Sequence, residues 1–495
     1  MTTSSSQRNP SSANTGFFRR LPIDYIGTES SEGGLTRTLG LWQLTAIGVG
    51  GIIGAGIFAL AGAVAHETAG PAVLLSFLIA GVASAAAAFS YAEFAGLIPR
   101  AGSAYTYGYA VLGEPIGWFI GWDLLLEYTA IVSVVAIGIS GYFNSLLSIL
   151  HLHLPLWMSG APGTEPAGVP SGSYKVDLFA ALLCLLIAYV LNRGMRTAAR
   201  FETSLVYLKV AIVLLVVVVG VFHIDSANYS PFAPFGLAGA FTGAATVFFA
   251  VFGYDAMSTA AEESADSRKH MPKAILYSLA ISMVLYVAAC LVLTGMVNYK
   301  DISPKSAFST AFASIGLNAL GLVIAVGAIV GILTVMFTFL MGAARVGYSM
   351  SRDGLLPAWF GKTHEERRVP TRITWVLGIA SAVIAGLLDI NEAAELTNIG
   401  ILLAFIVVCV AVIVLRYKQP DLPRGFRCPG MPVVPIIGIA FSVWLITFLQ
   451  PLTWLRFVVW FLIGGVVYLT YSRRHSRLAP GRATEPAGPG GPEQG

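Results

Sequence analysis

Twelve apolar runs follow one another along the chain, each close to the length that crosses a lipid bilayer. A spanning helix needs about 20 apolar residues, and such runs lie at 41–64, 71–98, 115–148, 174–192, 201–222, 239–263, 272–296, 318–350, 372–389, 394–416, 432–450 and 454–472. They leave little freedom of fold. In hydrocarbon every backbone N–H and C=O must find a partner within its own segment or in a closed barrel, so runs of this length fold as helices. The expectation is an all-α polytopic membrane protein with twelve transmembrane helices. The composition agrees: charged residues make up 11% of the 495, against about 25% in soluble domains. That is too little charge to cover a soluble surface of this size, which excludes a cytosolic multidomain enzyme and a disordered chain. A net charge of +4 supplies no basic surface for phosphate, so no nucleic-acid partner is expected. The partner implied by the runs is the lipid bilayer.

The lysines and arginines orient the runs. With the N-terminus inside, only Lys175, Lys300, Lys305 and Arg456 fall in outside loops, while Lys209 and Arg345 lie within runs; the rest of the 30 share the inner side. This asymmetry fits the positive-inside rule and places both termini in the cytoplasm of a multi-pass cell-membrane protein. Residues 1–36 are Ser-rich without an apolar core and read as a disordered tail, not a signal peptide; residues 477–495, rich in Pro and Gly, read the same way. Cys184, Cys290, Cys409 and Cys428 are isolated small residues with no CxxC spacing, and His151-x-His153 is a weak metal motif. No nucleophile–base pair or metal constellation appears, so neither an enzyme nor a cofactor or metal site is expected.

The first run contains Gly48-Val49-Gly50-Gly51-Ile52-Ile53-Gly54-Ala55-Gly56, five glycines in nine residues. Each weakens a helix by about 1 kcal/mol relative to Ala. The density exceeds what close helix packing needs, which predicts an unwound stretch near the bilayer midplane, where irregular backbone is tolerated only if it is buried in protein or lines a cavity. A dinucleotide-binding loop is excluded, because position 53 is Ile and no strand precedes it. Such a break exposes N–H groups and a positive dipole end at Gly54-Ala55-Gly56, suited to a carboxylate. It also exposes carbonyls near Ile52 and Ile53, suited to an ammonium. One break thus suits a zwitterion such as an α-amino acid.

A second candidate break, Phe248-Phe249-Ala250-Val251-Phe252-Gly253-Tyr254-Asp255, lies in the sixth run. Runs one and six each open a five-helix half, and breaks at matching positions point to an inverted-repeat transporter. The domains expected are a first repeat over 37–222, a second over 223–417, and two further helices over 418–476.

Few charges lie inside the runs, and each costs roughly 2.5–3.5 kcal/mol on insertion scales. Lys209, in Leu208-Lys209-Val210 of the fifth run, reads either as a snorkelling side chain or as a proton carrier. Asp123 and Glu127 share one face of the third run, with Glu127 the deeper, and Asp255 sits in the second break; Glu127 and Asp255 are candidates for a pocket or gate. Glu262 and Glu263 close the sixth run, Glu93 ends the second, and Arg345 lies on the eighth.

Five stretches carry a resemblance: Gly50–Phe58, Tyr91–Tyr107, Phe248–Glu263, Ser349–Pro357 (SMSRDGLLP) and Glu395–Gly400. In this order, over about 41–430, the chain resembles the amino acid–polyamine–organocation superfamily, and within it bacterial members of the cationic amino acid transporter family. It departs from that family at Gly342-Ala343-Ala344-Arg345. The resemblance implies a five-plus-five inverted repeat with helices one and six broken. It implies backbone N–H groups at Gly54, Ala55 and Gly56 for the substrate carboxylate, and carbonyls of Ile52, Phe249, Ala250 and Phe252 for its amino group. It further implies Phe249 as a lid, Lys209 as the proton-coupling residue and Glu127 as a carboxylate near the pocket. The function expected is secondary active uptake of L-amino acids with a proton as the coupling ion. An amino acid or polyamine exchanger and a sensor that binds without transport are the alternatives.

Overall fold

A computed structural model describes residues 19–20, 38–54, 56–149, 152, 154–165, 169–193, 195–303, 307–364, 369–447 and 451–479. Ala55 and nearly all of both tails lie outside the described residues, as does the side chain of Phe249. Among the described residues the elements are helical, with two isolated bridges and no strand. Seven helical stretches among the described residues are long and apolar enough to cross a membrane, and five shorter apolar helices run 10–17 residues.

Helix α1, Leu41–Ile52, stops at the glycine-rich stretch. The chain resumes as a mixed run of π-helical and α-helical turns over Gly56–Leu60, Ala61–Val64 and Ala65–Ala69. Helix α2 is Val73–Leu97, α3 Ala104–Val111 and α4 the 36-residue Glu114–Ile149. Helices α5, Leu178–Asn192, and α6, Met195–Gly220, follow. The sixth run is divided into α7, Gly236–Val247, a 3₁₀ turn at Phe248–Ala250, and α8, Tyr254–Ser258. Then come α9, Ser267–Met296, α10, Ala307–Ser314, and α11, Asn318–Arg352. The last four are α12, Thr371–Leu387, α13, Ile390–Lys418, α14, Val433–Ile446, and α15, Pro451–Val467. Two short helices, α3 and α10, fall in stretches that hydropathy reads as loops.

The helices pack in a regular pairing. Helix α1 lies against α8, α2 against α9, α4 against α11 and α5 against α12. In terms of the apolar runs, the first four each touch the run five places later. The last helix is fastened by aromatics: Trp122 stacks on Trp460 at 4.5 Å between centroids, and Trp118 Nε1 donates to the Gly464 carbonyl at 2.9 Å. Indole rings bury a large apolar area while leaving one N–H to satisfy, and here both needs are met across α4 and α15.

Candidate functional site

Helix α1 ends early, so its last carbonyls have no intrahelical donors and need partners elsewhere. The Val49 carbonyl takes the Ile53 N–H at 2.9 Å. The Gly50 and Ile53 carbonyls take the ammonium of Lys209, which reaches across from α6; the Gly50 distance is 2.7 Å. A third donor direction of Nζ meets Thr334 Oγ1 of α11 at 2.6 Å, and that hydroxyl donates on to the Gly331 carbonyl at 2.7 Å. Lys209 is 0% exposed, so it does not snorkel to a surface here. An ammonium has three N–H donors, and the three acceptors match them. The partial negative charge of a helix C-terminus adds to the attraction. The side chain thus ties the break in the first run to the fifth and eighth runs at one point.

The Ile52 carbonyl is taken differently. Tyr286 of α9 donates its hydroxyl to Ile52 O at 2.6 Å and to Ala250 O at 3.0 Å. One side chain therefore bridges both breaks at two of the carbonyls expected to receive an amino group. Each carbonyl oxygen keeps a second lone pair. Neither Tyr286 nor Thr334 stands out in the sequence; each is a single hydroxyl within a long apolar run.

The two breaks also touch backbone to backbone. Gly253 has φ +124, a conformation reserved for glycine. A Cβ there would lie 2.6 Å from the Gly51 carbonyl carbon and 2.9 Å from Ile52 N. Beyond the first break, Gly56 lies so close to Ala250, and Gly54 to Val335, that a methyl at either would collide. The Gly253 turn is held by Asp255, whose Oδ1 accepts the Gly253 N–H at 3.0 Å while Oδ2 accepts the Tyr128 hydroxyl of α4 at 2.6 Å. Asp255 therefore connects the second break to the third run. Phe252 meets Phe339 edge-on at 5.8 Å, and Tyr128 meets the same ring at 5.2 Å. Ile52, Gly54, Gly56, Ala250 and Phe252 are all buried.

Glu127 lies beside Tyr128 and is 1% exposed, and neither of its carboxylate oxygens has a hydrogen-bond partner among the described residues. It interacts electrostatically with Asp255 and Asp123. Contacts of Lys209, by contrast, run to the first and eighth runs. No group of His, Cys, Asp and Glu among the described residues is placed to hold a metal ion.

Ion pairs gather at the end of the bundle where α2, α8 and α11 finish. Arg345 Nε meets Glu263 Oε1 at 2.8 Å, both side chains buried. Arg352 takes Glu262 at 2.7 Å, and Arg100 meets Asp353 at 3.4 Å. Glu93 is clasped by Arg416, Arg424 and the Cys428 N–H at 2.5–2.9 Å. A buried charge of this kind is tolerated only when paired. One turn beyond the first break Phe58 meets Phe308 edge-on at 6.3 Å, both buried.

A family model for amino acid permeases matches residues 39–469. The chain is 45% identical over 464 residues to a methylthioribose transporter of Bacillus subtilis (strain 168), covering 94% of this chain and 99% of that one. It is 44% identical over 464 residues to the branched-chain amino acid permease BcaP of the same organism, covering 93% and 98%. The BcaP of Lactococcus lactis subsp. cremoris (strain MG1363) is 34% identical over 473 residues, covering 93% and 100%.

Proposed function

The chain belongs to the amino acid permease family and carries amino acids across a membrane, and from that premise we propose that it is a secondary active symporter coupling neutral L-amino acid uptake to an inward flow of protons. The observation that carries the coupling is the buried Lys209 ammonium held by the carbonyls of Gly50 and Ile53 and by Thr334. Protonated, it has three donors for three acceptors. Loss of one proton leaves an amine with two N–H groups and an accepting lone pair, so Nζ can no longer donate to all three groups. Either the Thr334 hydroxyl turns to donate to Nζ and leaves the Gly331 carbonyl, or one contact is given up, and in both cases the tie between the first run and the rest is rearranged. A titration at Nζ is thereby converted into a change in how the break is held.

In this reading the helices form a five-plus-five inverted repeat of twelve spans, supported by the pairing of runs five places apart. The ion-pair end faces the cytoplasm, supported by the lysine and arginine asymmetry. The substrate carboxylate meets the N–H groups of Gly54, Ala55 and Gly56. The amino group meets the carbonyls of Ile52, Phe249, Ala250 and Phe252, two of which it shares with or takes from Tyr286. The pairs Arg345–Glu263, Arg352–Glu262 and Arg100–Asp353 close the cytoplasmic path, and the bundle of runs one, two, six and seven rocks against the others as they part.

Apolar side chains around the breaks, among them Val335, Phe252 and Phe339, favour a substrate with an uncharged side chain, in keeping with the branched-chain amino acid named for two relatives. The methylthioribose relative is as similar and supports a second reading, a neutral sugar thioether that has neither ammonium nor carboxylate. A panel of labelled L-amino acids and methylthioribose, offered to proteoliposomes with and without an inward proton gradient and without sodium, separates the two. The expected result is uptake of apolar amino acids that rises with the gradient. Uptake that requires sodium and ignores pH refutes the coupling.

A further inference from the structure

The segment that follows α15 turns back into the ion-pair end of the bundle. Ser476 Oγ donates to Glu114 Oε2 at 2.6 Å and Tyr468 donates its hydroxyl to Oε1 at 3.0 Å. Glu114 opens α4 and is 1% exposed. Its backbone N–H meets the Arg19 carbonyl at 2.7 Å. Ser472 Oγ donates to the Leu355 carbonyl at 2.7 Å, and the Arg477 N–H to the Asp353 carbonyl at 3.0 Å. Gly354, at φ +77, packs so closely on the His475 carbonyl that a side chain there would collide. Ser472 and Ser476 are 0% exposed. The Ser349–Pro357 stretch is therefore the floor on which residues 472–479 sit.

Asp353 works on both sides of that floor. Its carbonyl holds the docked segment, while its carboxylate holds Arg100 at 3.4 Å and the Tyr105 hydroxyl at 2.7 Å. Arg100 follows the end of α2, next to Ala101, whose N–H is held by Glu262 at 3.0 Å. Glu262 is the partner of Arg352. A path made of the Arg477–Asp353 hydrogen bond, the Asp353–Arg100 ion pair, the Arg100–Ala101 peptide link and the Ala101–Glu262 hydrogen bond thus joins the docked segment to the ion pairs of the proposed gate. Undocking would leave the buried Glu114 carboxylate without the Ser476 donor and the Asp353 carbonyl without the Arg477 N–H.

We propose that residues 472–479 are a latch on the cytoplasmic gate: docked on Glu114 and the Asp353-Gly354 turn, the segment holds Asp353 in the position that keeps Arg100 and Arg352 engaged, and its release favours the inward-open state. Glu114 and Ser476 are positioning residues, acting on the gate through Asp353. The inference rests on the transport reading, since it presumes an inner gate that opens.

The test uses Ala261→Cys, at a position 1% exposed beside Glu262, and measures maleimide labelling in substrate-free vesicles against the chain without that cysteine. Three chains are compared: full length, ending at Ala479, and ending at Arg474. The chain ending at Ala479 is expected to label like full length, and the chain ending at Arg474 about fivefold faster or more. Equal rates in all three overturn the latch, as does the same acceleration in both truncations. Should the shorter chain fail to reach the membrane, Ser476→Ala and Glu114→Gln in the full chain carry the same expectation, and unchanged labelling in both overturns it. Amino acid uptake in the same vesicles separates the two claims. Faster labelling without any uptake sinks the transport reading and leaves only the docking of the segment, with no gate for it to hold. Uptake with unresponsive labelling keeps the transport reading and overturns the latch alone.

Discussion

Gly253→Ala strikes the place where the two broken helices meet. The added methyl would stand 2.6 Å from the Gly51 carbonyl carbon and 2.9 Å from the Gly51 oxygen and Ile52 nitrogen, about 1 Å short of ordinary carbon–carbon contact. All three atoms are backbone, so no flexible side chain can swing aside. The residue must also keep a φ of +124, which costs a non-glycine residue about 1–3 kcal/mol. Overpacking a filled interior adds about 1–3 kcal/mol, so the total is about 2–6 kcal/mol. The cheapest relief is for the breaks to separate, which moves the Ile52 and Ala250 carbonyls apart and draws one of them away from Tyr286. Gly138→Ala on α4 is the matched control, because a methyl there meets nothing within 4 Å. In detergent, Gly253→Ala should lower the melting temperature and Gly138→Ala should not. In proteoliposomes normalised for protein, the first should lose at least about tenfold in uptake, as expected when binding groups are displaced by about 1 Å. Uptake and melting at the unsubstituted level in Gly253→Ala would show that the breaks do not meet as described.

Tyr286→Phe keeps the ring and removes the hydroxyl shared by Ile52 O and Ala250 O; leaving buried acceptors short of a donor costs about 1–3 kcal/mol, and the expected readout is a lower melting temperature that saturating substrate partly restores. Glu263→Gln breaks the buried pair with Arg345 and should destabilise by about 3–5 kcal/mol, whereas the combined replacement of both residues by apolar ones of similar volume should recover much of that; an undiminished melting temperature in the single variant contradicts the pairing. Thr334→Val, isosteric but without the acceptor for Lys209, should cut proton-driven uptake roughly 10- to 150-fold, the equivalent of one hydrogen bond to a charged group at about 1.5–3 kcal/mol, while counterflow at equal pH is affected less.

What the sequence makes legible depends on range. The break in the first run is a local property of five glycines in nine residues, and the second follows from Gly253 and Asp255 inside an apolar run, so both can be located without coordinates. The same holds for Lys209, whose charge has no local reason to lie in hydrocarbon. Its acceptors are less accessible: Thr334 is 125 positions away, and nothing in its neighbourhood distinguishes it from Thr338 one turn on. Tyr286 is hidden for the same reason, since an isolated hydroxyl in an apolar helix is ordinary until the carbonyls opposite are known to be unpaired. The carbonyl of Ile52 is one the glycine-rich break points to and that of Ala250 one the family resemblance implies, but that both accept from Tyr286 depends on how α9 is rotated. Glu93 reads as a helix-end carboxylate, and only the packing of the last turn of α13 and the chain that follows it brings Arg416, Arg424 and the Cys428 N–H around it. Helices α3 and α10 are missed because eight-residue segments carry too little hydropathy signal to separate from loops.

The central claim is that the proton carried by Lys209 is what drives accumulation, and the direct measurement is the steady-state accumulation ratio of a transported amino acid across proteoliposomes held at an inward gradient of about two pH units. One proton per substrate over that gradient supplies about 2.7 kcal/mol, which corresponds to roughly 100-fold accumulation. The unsubstituted protein should approach that ratio. Lys209→Ala, with its insertion and substrate binding verified, should bring the inside concentration no higher than the outside. Accumulation by Lys209→Ala equal to that of the unsubstituted protein would contradict the account, and would leave the buried lysine as a structural tie alone.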